Sequence, residues 1–238
     1  MKKNLIPKKI HYVWVGGKEK PKDIQRCMNT WNKYLKDYEI IEWNEKNFDI
    51  NSHPFAKAAY EAKKWAYVSD YIRAWVIYNE GGIYLDTDII LLDNFDKFLK
   101  HDAFVGFENY DHPFTAAFGA KKNHSLLKKM LDYYDNLDSY KFDFENNNTV
   151  SVSEILINDF GCKIGNEYQE LEDGIAVYPD NILCNPSKDS VSIHIFTGTW
   201  LGNKKSLKYK LMKNIKLRLT TKKRAELYNK YISKKGKK

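Results

Sequence analysis

The fold is decided by the stretch Gly81-Gly82-Ile83-Tyr84-Leu85-Asp86-Thr87-Asp88-Ile89-Ile90. It has the composition of a short apolar strand that contains two carboxylates, and the alternation of a strand would put Asp86 and Asp88 on the same side. Two like charges at that spacing among apolar residues are unfavourable unless a cation lies between them. A divalent metal ion bound by carboxylate oxygens would satisfy both. The alternative is a strand end at which both aspartates face water.

The segments before this stretch alternate between strand and helix patterns. We expect a strand over 10–15, a helix over about 21–35, a strand over 38–43, a helix from 53 to about 63 and a helix over 65–80 that is capped by Gly81. Strands that alternate with helices in this way predict an α/β fold, with a mostly parallel central sheet flanked by helices.

The second half of the chain continues with shorter elements. We expect strands over 104–108, 114–120, 175–179 and 192–200, helices over 123–137 and 151–160, and a polar surface loop over 138–148. The segment Lys208–Ser233 has a helical pattern, with Leu211, Ile215 and Leu219 on one side.

Composition predicts one large domain with an appendage. The chain has 238 residues, of which 43% are hydrophobic, and its net charge is +8. That charge is concentrated in 204–238, which contains a single acidic residue, Glu226. We therefore divide the chain into a domain over 1–203 and a basic helical C-terminal extension over 204–238. A charge so localised indicates an anionic partner for the extension.

Neither the cysteines nor the apolar segments indicate a secreted or membrane-spanning protein. The three cysteines predict no zinc site or disulfide framework, which favours a reducing compartment. The start of the sequence lacks the apolar run of a signal peptide, and no stretch is long enough to cross a bilayer. We expect a cytoplasmic protein that is peripheral at the inner face of the plasma membrane.

Two charged residues interrupt the apolar surface of the 65–80 helix. Asp70 and Arg73 are three positions apart and therefore lie on one face. One interpretation is a structural ion pair, because buried charges are usually paired. The other is that both contact a ligand at the carboxyl edge of the sheet.

His194 and Trp14 are further candidates for the same site. His194 lies in an apolar strand next to a turn, where it is either a core histidine or a metal ligand. Trp14 follows the first strand, where open parallel sheets bind ligands, and is either a core aromatic or a platform for a planar base. A metal together with such a platform suggests a nucleoside diphosphate. The glycine motifs of dinucleotide-binding and P-loop proteins are absent.

Three segments resemble the DXD-containing glycosyltransferases. They are Ile10–Gly17, Ala66–Arg73 with its Ser-Asp-x-x-Arg pattern, and the Gly-Gly-x-Tyr-x-Asp-x-Asp pattern of Gly81–Asp88. The match is to the family that includes yeast Och1-like mannosyltransferases and bacterial capsule and lipopolysaccharide sugar transferases. The same pattern is similar to the catalytic core of the clostridial glucosylating toxins. The resemblance covers residues 6–120 and, less closely, 194–200.

The resemblance implies a GT-A fold and sugar transfer with retention of anomeric configuration. It implies that Asp86, Asp88 and His194 bind Mn²⁺ or Mg²⁺, and that Asp86 also reaches the ribose. It implies that Asp70 and Arg73 contact the donor sugar. The catalytic residues that it implies are Asp86, Asp88 and Arg73. The nucleotide positions implied are Trp14, which would stack on uracil, with Val13, Tyr84, Thr87 and Trp200, the last at the β-phosphate.

The function predicted is transfer of a hexose or N-acetylhexosamine from a UDP-sugar to a saccharide acceptor, in capsule, lipopolysaccharide or other surface polysaccharide synthesis. The sequence departs from the family pattern at Ala116-Ala117 and at Val152-Ser153-Glu154. These two departures leave the identity of the donor sugar undetermined. Glu108 and Glu154 are the carboxylates placed to act as a nucleophile, but we favour front-face attack by the acceptor hydroxyl with departing UDP as base.

Two other classes of function stay open from the sequence. One is a metal-dependent phosphohydrolase that uses the pair Asp86 and Asp88. The other is a non-catalytic sugar- or anion-binding module. The extension resembles a membrane-surface helix more than a nucleic-acid arm, so its expected partner is an anionic membrane with a lipid-linked acceptor. A helix that packs on the domain by one apolar side is the alternative.

Overall fold

The structure, a computed structural model, describes residues 5–142, 147–198 and 206–235, with side chains as far as residue 233. In these ranges the elements are β1 (Lys9–Val13), α1 (Lys22–Tyr34), β2 (Glu39–Trp43), α2 (Pro54–Glu61), α3 (Trp65–Glu80), β3 (Gly82–Leu85), β4 (Ile89–Leu91), β5 (Ala103–Gly106), β6 (Ala117–Ala120), α4 (Ser125–Asp135), α5 (Asn148–Phe160), β7 (Gln169–Glu170), β8 (Ile175–Tyr178), α6 (Asp180–Leu183), β9 (Ser192–His194), α7 (Leu207–Lys216) and α8 (Lys222–Lys235).

Seven of the strands form the main sheet, in the order β2-β1-β3-β6-β5-β8-β7. β1 is parallel to β2 and β3, and β5 is parallel to β8. β6 lies antiparallel between β3 and β5, and β7 is antiparallel to β8. Five strands therefore run in one direction, which confirms the predicted α/β class with a mostly parallel central sheet. β4 and β9 form a separate two-stranded antiparallel sheet.

Successive residues of the central strands face two different cores. Tyr84 packs with the side chains of α2 to α5 on one face. Its neighbours Ile83 and Leu85 pack on the other face, with Phe104 and with Trp31 of α1. All of these side chains are buried, and each contributes roughly 1.5–3 kcal/mol to folding. The period of two explains why β3 is apolar throughout and why helices cover both faces.

Two glycines bring α3 and β3 close to β1. Gly81 caps α3 as predicted and has a positive φ of 65°, but its ψ of 177° leads straight into the strand and not into a left-handed turn. Gly82 has a φ of 114°, and a Cβ there would be 2.8 Å from the Lys9 carbonyl of β1. A side chain at residue 82 would therefore separate the two strands.

The strand predicted over 81–90 is wrong in one respect, because it breaks in the middle. β3 ends at Leu85, the turn that contains Asp86 and Asp88 follows, and Ile89 donates a backbone hydrogen bond of 3.1 Å to the Asp86 carbonyl. The chain then enters the second sheet as β4. Aspartate is disfavoured inside strands and common in turns, so the two carboxylates belong to a turn and not to one face of a strand.

Other predicted bounds also change. The strand expected over 114–120 begins only at residue 117, and the one expected over 192–200 ends at residue 194. The helix expected over 151–160 begins at residue 148, inside the predicted loop. Residues 143–146 of that loop, and 199–200, lie outside the described residues.

Over residues 206–235, the basic extension forms two helices and not one. Leu217 and Leu219, in the break between α7 and α8, are buried with Ile90 of β4 in a third core. Leu211 and Ile215, predicted to share a side with Leu219, are exposed. The leucines of the break therefore face the domain, while the apolar row of α7 faces outward. The division at 203/204 stays a prediction.

His11 is fully buried in β1 between two hydrogen bonds, which predicts a pH-dependent stability. Its Nε2 is 3.0 Å from the Gly81 carbonyl, and the Trp43 indole donates to its Nδ1 at 3.1 Å. The ring is therefore neutral, and burial lowers the pKa of His11 to about 4. Because the unfolded chain binds this proton near pH 6.5, the contribution of His11 to stability is complete above that pH and decreases between pH 6.5 and 4, by about 3 kcal/mol.

A His11→Gln variant, which cannot bind this proton, tests the assignment. We expect the difference in free energy of unfolding between wild type and variant to change by about 2–3 kcal/mol in favour of the variant from pH 7 to pH 4.5. Denaturant titrations at both pH values measure it, with His112→Gln in a loop as the control. An equal difference in free energy of unfolding at both pH values would show that protonation of His11 does not destabilise the protein.

Candidate active site

The candidate site lies where the chain crosses from the main sheet to the small sheet. β1 and β3 are parallel neighbours, so their carboxyl ends meet at this edge. In the small sheet, Ile89 lies directly opposite His194. The turn between β3 and β4 therefore places Asp86 and Asp88 beside a residue that arrives late in the sequence.

Asp86, Asp88 and His194 form a cluster with the spacing of metal ligands. One ligand atom from each lies within 4.8 Å of those from the other two. The Nδ1 atom of His194 is buried without a hydrogen-bond partner. The other ring nitrogen, Nε2, is the one that faces Asp88, at 3.3 Å from Oδ1. Two carboxylates and an imidazole together fit a divalent cation such as Mn²⁺. The structure thus brings together the three residues predicted as ligands.

Asp88 is buried and held by hydrogen bonds. Its Oδ2 accepts from the backbone N–H of Thr197 at 2.7 Å and from the Thr197 hydroxyl at 2.9 Å, while its Oδ1 lies 3.3 Å from Nε2 of His194. Burial alone would raise the pKa of Asp88, but the His194 ring and the Thr197 donors lower it to about 2. Burial would lower the pKa of His194, but Asp88 raises it well above its usual value.

Asp70, Arg73 and Asp86 form a second, adjoining charged network. The Nη2 atom of Arg73 lies 3.0 Å from Oδ1 of Asp70 and 3.0 Å from Oδ1 of Asp86. The Tyr84 hydroxyl also donates to that Asp86 oxygen at 3.1 Å, and the guanidinium lies 4.6 Å from the centre of the Tyr84 ring. The network fixes the turn to α3, and it contains the ion pair that the spacing of Asp70 and Arg73 predicted.

Burial perturbs the charges of this network. It raises the pKa of Asp70 to about 6, with a smaller contribution from Asp86, although Arg73 opposes the shift. Burial would lower the pKa of Arg73, but the Asp86 carboxylate, Tyr84 and Asp70 raise it above its usual value. Arg73 therefore stays charged, and Asp86 is the carboxylate common to both clusters.

The predicted nucleotide-binding residues lie around the same edge, apart from one. Trp14 directly follows β1 and is partly exposed; its indole donates to the Lys18 carbonyl at 2.6 Å. Val13 is buried at the end of β1, and Thr87 is half-buried in the turn. Trp200 lies outside the described residues.

The structure places three further residues near the proposed metal ligands: Thr197, Glu108 and Lys216. No role was predicted for Thr197 or Lys216, and Glu108 was predicted only as a candidate nucleophile. Thr197 lies three residues after His194. Its position next to the predicted turn was the signal in the sequence that could have indicated a role at the site. Glu108 follows β5, and burial raises the pKa of its carboxyl, which also feels the charges of His194 and Asp86. Glu154, the other candidate nucleophile, is exposed. Lys216 reaches the site from α7, and no sequence pattern distinguished it from its neighbours.

Part of the chain is similar to a known family of proteins. Residues 21–105 match the family model described as "Glycosyltransferase sugar-binding region containing DXD motif". This range contains Asp70, Arg73, Tyr84, Asp86 and Asp88. His194 and the C-terminal helices lie outside it.

Two curated relatives match less of the chain. Subversion of eukaryotic traffic protein A of Legionella pneumophila is 30% identical, over 36% of this chain and 17% of its own length. Inositol phosphoceramide mannosyltransferase 3 of Schizosaccharomyces pombe is 26% identical, over 58% of this chain and 39% of its own length. The chain thus spans less than half the length of either relative.

Two solved structures are also similar. The PaToxG glycosyltransferase has a TM-score of 0.47 and 19% identity, over 65% of this chain and 70% of its own. A glycosyltransferase involved in glycosylation of the major capsid of PBCV-1 has a TM-score of 0.44 and 10% identity, over 79% and 94%. The family match confirms the resemblance predicted from the sequence over residues 21–105, which are similar to the DXD-containing sugar-binding region of glycosyltransferases.

Proposed function

We propose that the chain is a metal-dependent, retaining glycosyltransferase that moves a hexose or N-acetylhexosamine from a UDP-sugar to a saccharide acceptor. The observation that carries the proposal is the Asp86, Asp88 and His194 cluster, which shares Asp86 with the buried network of Asp70 and Arg73. A nucleotide sugar presents a diphosphate to a cation site and hydroxyl groups to a charged, hydrogen-bonding site. The two adjoining clusters suit these two parts of one ligand.

The proposed ligands of Mn²⁺ or Mg²⁺ are Asp86, Asp88 and His194. When bound, the ion screens the diphosphate and stabilises the charge that develops on it as it leaves. Thr197 occupies Oδ2 of Asp88 with two hydrogen bonds, which orients Oδ1 toward His194 and the shared position. Asp88 favours a proton on His194, and ligation requires its release, so metal affinity increases with pH.

The donor is proposed to lie along the carboxyl edge of β1 and β3. Trp14 stacks on uracil, with Val13, Tyr84 and Thr87 as further nucleotide contacts and Trp200 at the β-phosphate. Asp70 and Arg73 bind the donor sugar, and Asp86 is shared between the ribose and the metal. Asp86, Asp88 and Arg73 are the proposed catalytic residues.

Front-face attack is the proposed mechanism. The bond between the anomeric carbon and the UDP oxygen breaks, the acceptor oxygen bonds to the same face, and its proton passes to the departing diphosphate. The configuration at the anomeric carbon is thereby retained. Glu108, whose carboxyl feels the charges of His194 and Asp86, is the candidate nucleophile of the competing double displacement. An isolable glycosyl adduct on Glu108 would therefore contradict front-face attack.

The proposed acceptor is a lipid-linked saccharide in the synthesis of capsule, lipopolysaccharide or another surface polysaccharide, at the cytoplasmic face of the membrane. The name of the Schizosaccharomyces pombe relative includes a lipid, inositol phosphoceramide, which supports an acceptor at a membrane. In the described ranges, no helix has the length and hydropathy to cross a bilayer.

The outward face of the C-terminal helices supports a membrane partner. Leu207, Leu211 and Ile215 form a row on α7 and are 84%, 59% and 37% exposed. Leu227 and Tyr231 are similarly exposed on α8. Lysine and arginine flank both rows, and Glu226 is the one acidic residue of 204–238. An apolar row between basic residues is typical of helices that lie on anionic lipid.

Loss of one metal ligand tests the enzymatic proposal. We expect wild type with Mn²⁺ to hydrolyse one of UDP-glucose, UDP-galactose or UDP-N-acetylglucosamine. Asp88→Asn removes a charged ligand and should reduce that rate by about 100-fold, because even the loss of a group that supports a ligand costs up to that factor. Chromatographic assay of released UDP and sugar measures the rate.

The matched control is Asp111→Asn, which removes an exposed loop carboxylate and should leave the rate unchanged. Equal rates for wild type and Asp88→Asn would show that the metal assignment is wrong. Phosphate release from simple esters, with no turnover of any nucleotide sugar, would favour the phosphohydrolase.

Vesicle co-sedimentation tests the membrane partner. We expect wild type to bind vesicles that contain phosphatidylserine, and less strongly as salt screens the lysines. Leu207→Ser and Leu211→Ser should each weaken binding roughly tenfold, since each removes an apolar side chain worth about 1.5 kcal/mol. Ile164→Ser is the control, because Ile164 is 52% exposed outside these helices. Binding that is equal for both variants and wild type would exclude this face.

A further inference from the structure

Lys216, in the last turn of α7, lies at the edge of the candidate active site. Its Nζ donates to the backbone carbonyl of His194 at 3.3 Å and lies 4.9 Å from the centre of the Phe196 ring. The side chain is only partly exposed. The ammonium is therefore directed toward the segment that supplies a proposed metal ligand, although Lys216 is outside the family match.

Lys216 differs from Lys213 of the same helix, and from Lys222 of α8, in its lack of a counter-ion. Lys213 pairs with Asp23 at 2.5 Å, and Lys222 pairs with Asp93 at 2.5 Å. No carboxylate of the described residues lies within 4.0 Å of the Lys216 ammonium, so its three N–H donors have one long hydrogen bond to a carbonyl. A partly buried ammonium is normally paired, which makes this one a site for an anion that comes from outside the chain.

The inner face of α7 holds Lys216 in this position. The Tyr209 hydroxyl donates to the Phe196 carbonyl, and Lys213 ties the helix to α1 through Asp23. Residues 209, 213 and 216 follow the helical repeat and share this face, opposite the exposed row of Leu207 and Leu211. The helix therefore presents Lys216 to the site from a fixed support.

We propose that Lys216 binds the diphosphate of the donor together with the metal. This inference rests on the proposed function and assigns one of its subsites to the C-terminal extension. Two cations placed side by side repel each other, but both are stabilised when a diphosphate lies between them. Lys216 should therefore oppose metal binding in the absence of an anion and favour binding of the metal–diphosphate pair.

Binding measurements on Lys216→Met separate these two effects, because methionine keeps much of the apolar stem without the charge. We expect the affinity for UDP, and for inorganic pyrophosphate, in the presence of Mn²⁺ to fall about tenfold, the effect of one charge-assisted hydrogen bond. Affinity for Mn²⁺ alone should be unchanged or higher. Lys216→Arg should recover most of the diphosphate affinity, and isothermal titration calorimetry measures all three ligands.

Lys210→Met is the matched control, because Lys210 is exposed on the outer part of the same helix. It should match wild type for every ligand. Unchanged affinity of Lys216→Met for UDP and pyrophosphate would overturn the proposal. A parallel loss of affinity for Mn²⁺ alone would also overturn it, since it would make Lys216 a structural support of His194.

The pyrophosphate measurement keeps this test separate from the proposed sugar transfer. Lys216-dependent binding of pyrophosphate with Mn²⁺, without turnover of any nucleotide sugar, would support the anion site while contradicting the transferase. Turnover of a nucleotide sugar with equal diphosphate affinity in wild type and Lys216→Met would support the transferase and contradict the role of Lys216.

Discussion

Two strands of three residues each, β4 and β9, hold the candidate site together by antiparallel pairing. A two-stranded ribbon of this size is marginal alone in water and needs a core against one face. That core is made by Ile90 and Ile193, which are fully buried with Leu217, Leu219 and Ala225 from the C-terminal helices. The basic extension is therefore part of what fixes His194 beside the aspartates.

The features that the sequence predicted well are those decided by local patterns. The apolar surface of α3, its end at Gly81 and the alternation of strands and helices follow from spacing and from glycine chemistry, so the order of elements and the fold class were predictable. Asp70, Arg73, Asp86 and Asp88 were also identifiable, because charges inside apolar segments require a partner.

The features that it predicted poorly depend on contacts between distant segments. The strand breaks after Leu85 because the chain leaves the main sheet there and enters a second one. That second sheet forms only when β4 pairs with β9, which lies much later in the sequence. The exposed row of Leu211 and Ile215 has the same apolar period as a row that packs on a domain. The sequence pattern therefore does not show that Leu217 and Leu219, at the break before α8, are the leucines that are buried. Lys216 has no local signal, because one lysine among many is distinguished only by what surrounds it.

The separation of the site residues along the chain has a consequence for how the protein folds. Thr197 and the Asp88 carboxylate that it holds are 109 positions apart. Closing so long a loop costs entropy before any bond rewards it, so such contacts form late and slow folding. The parallel sheet can begin from β1 to β3, but the proposed cation site cannot form until β9 has been synthesised and has paired with β4. Binding of a divalent ion would thus report completed tertiary assembly and not the amount of secondary structure.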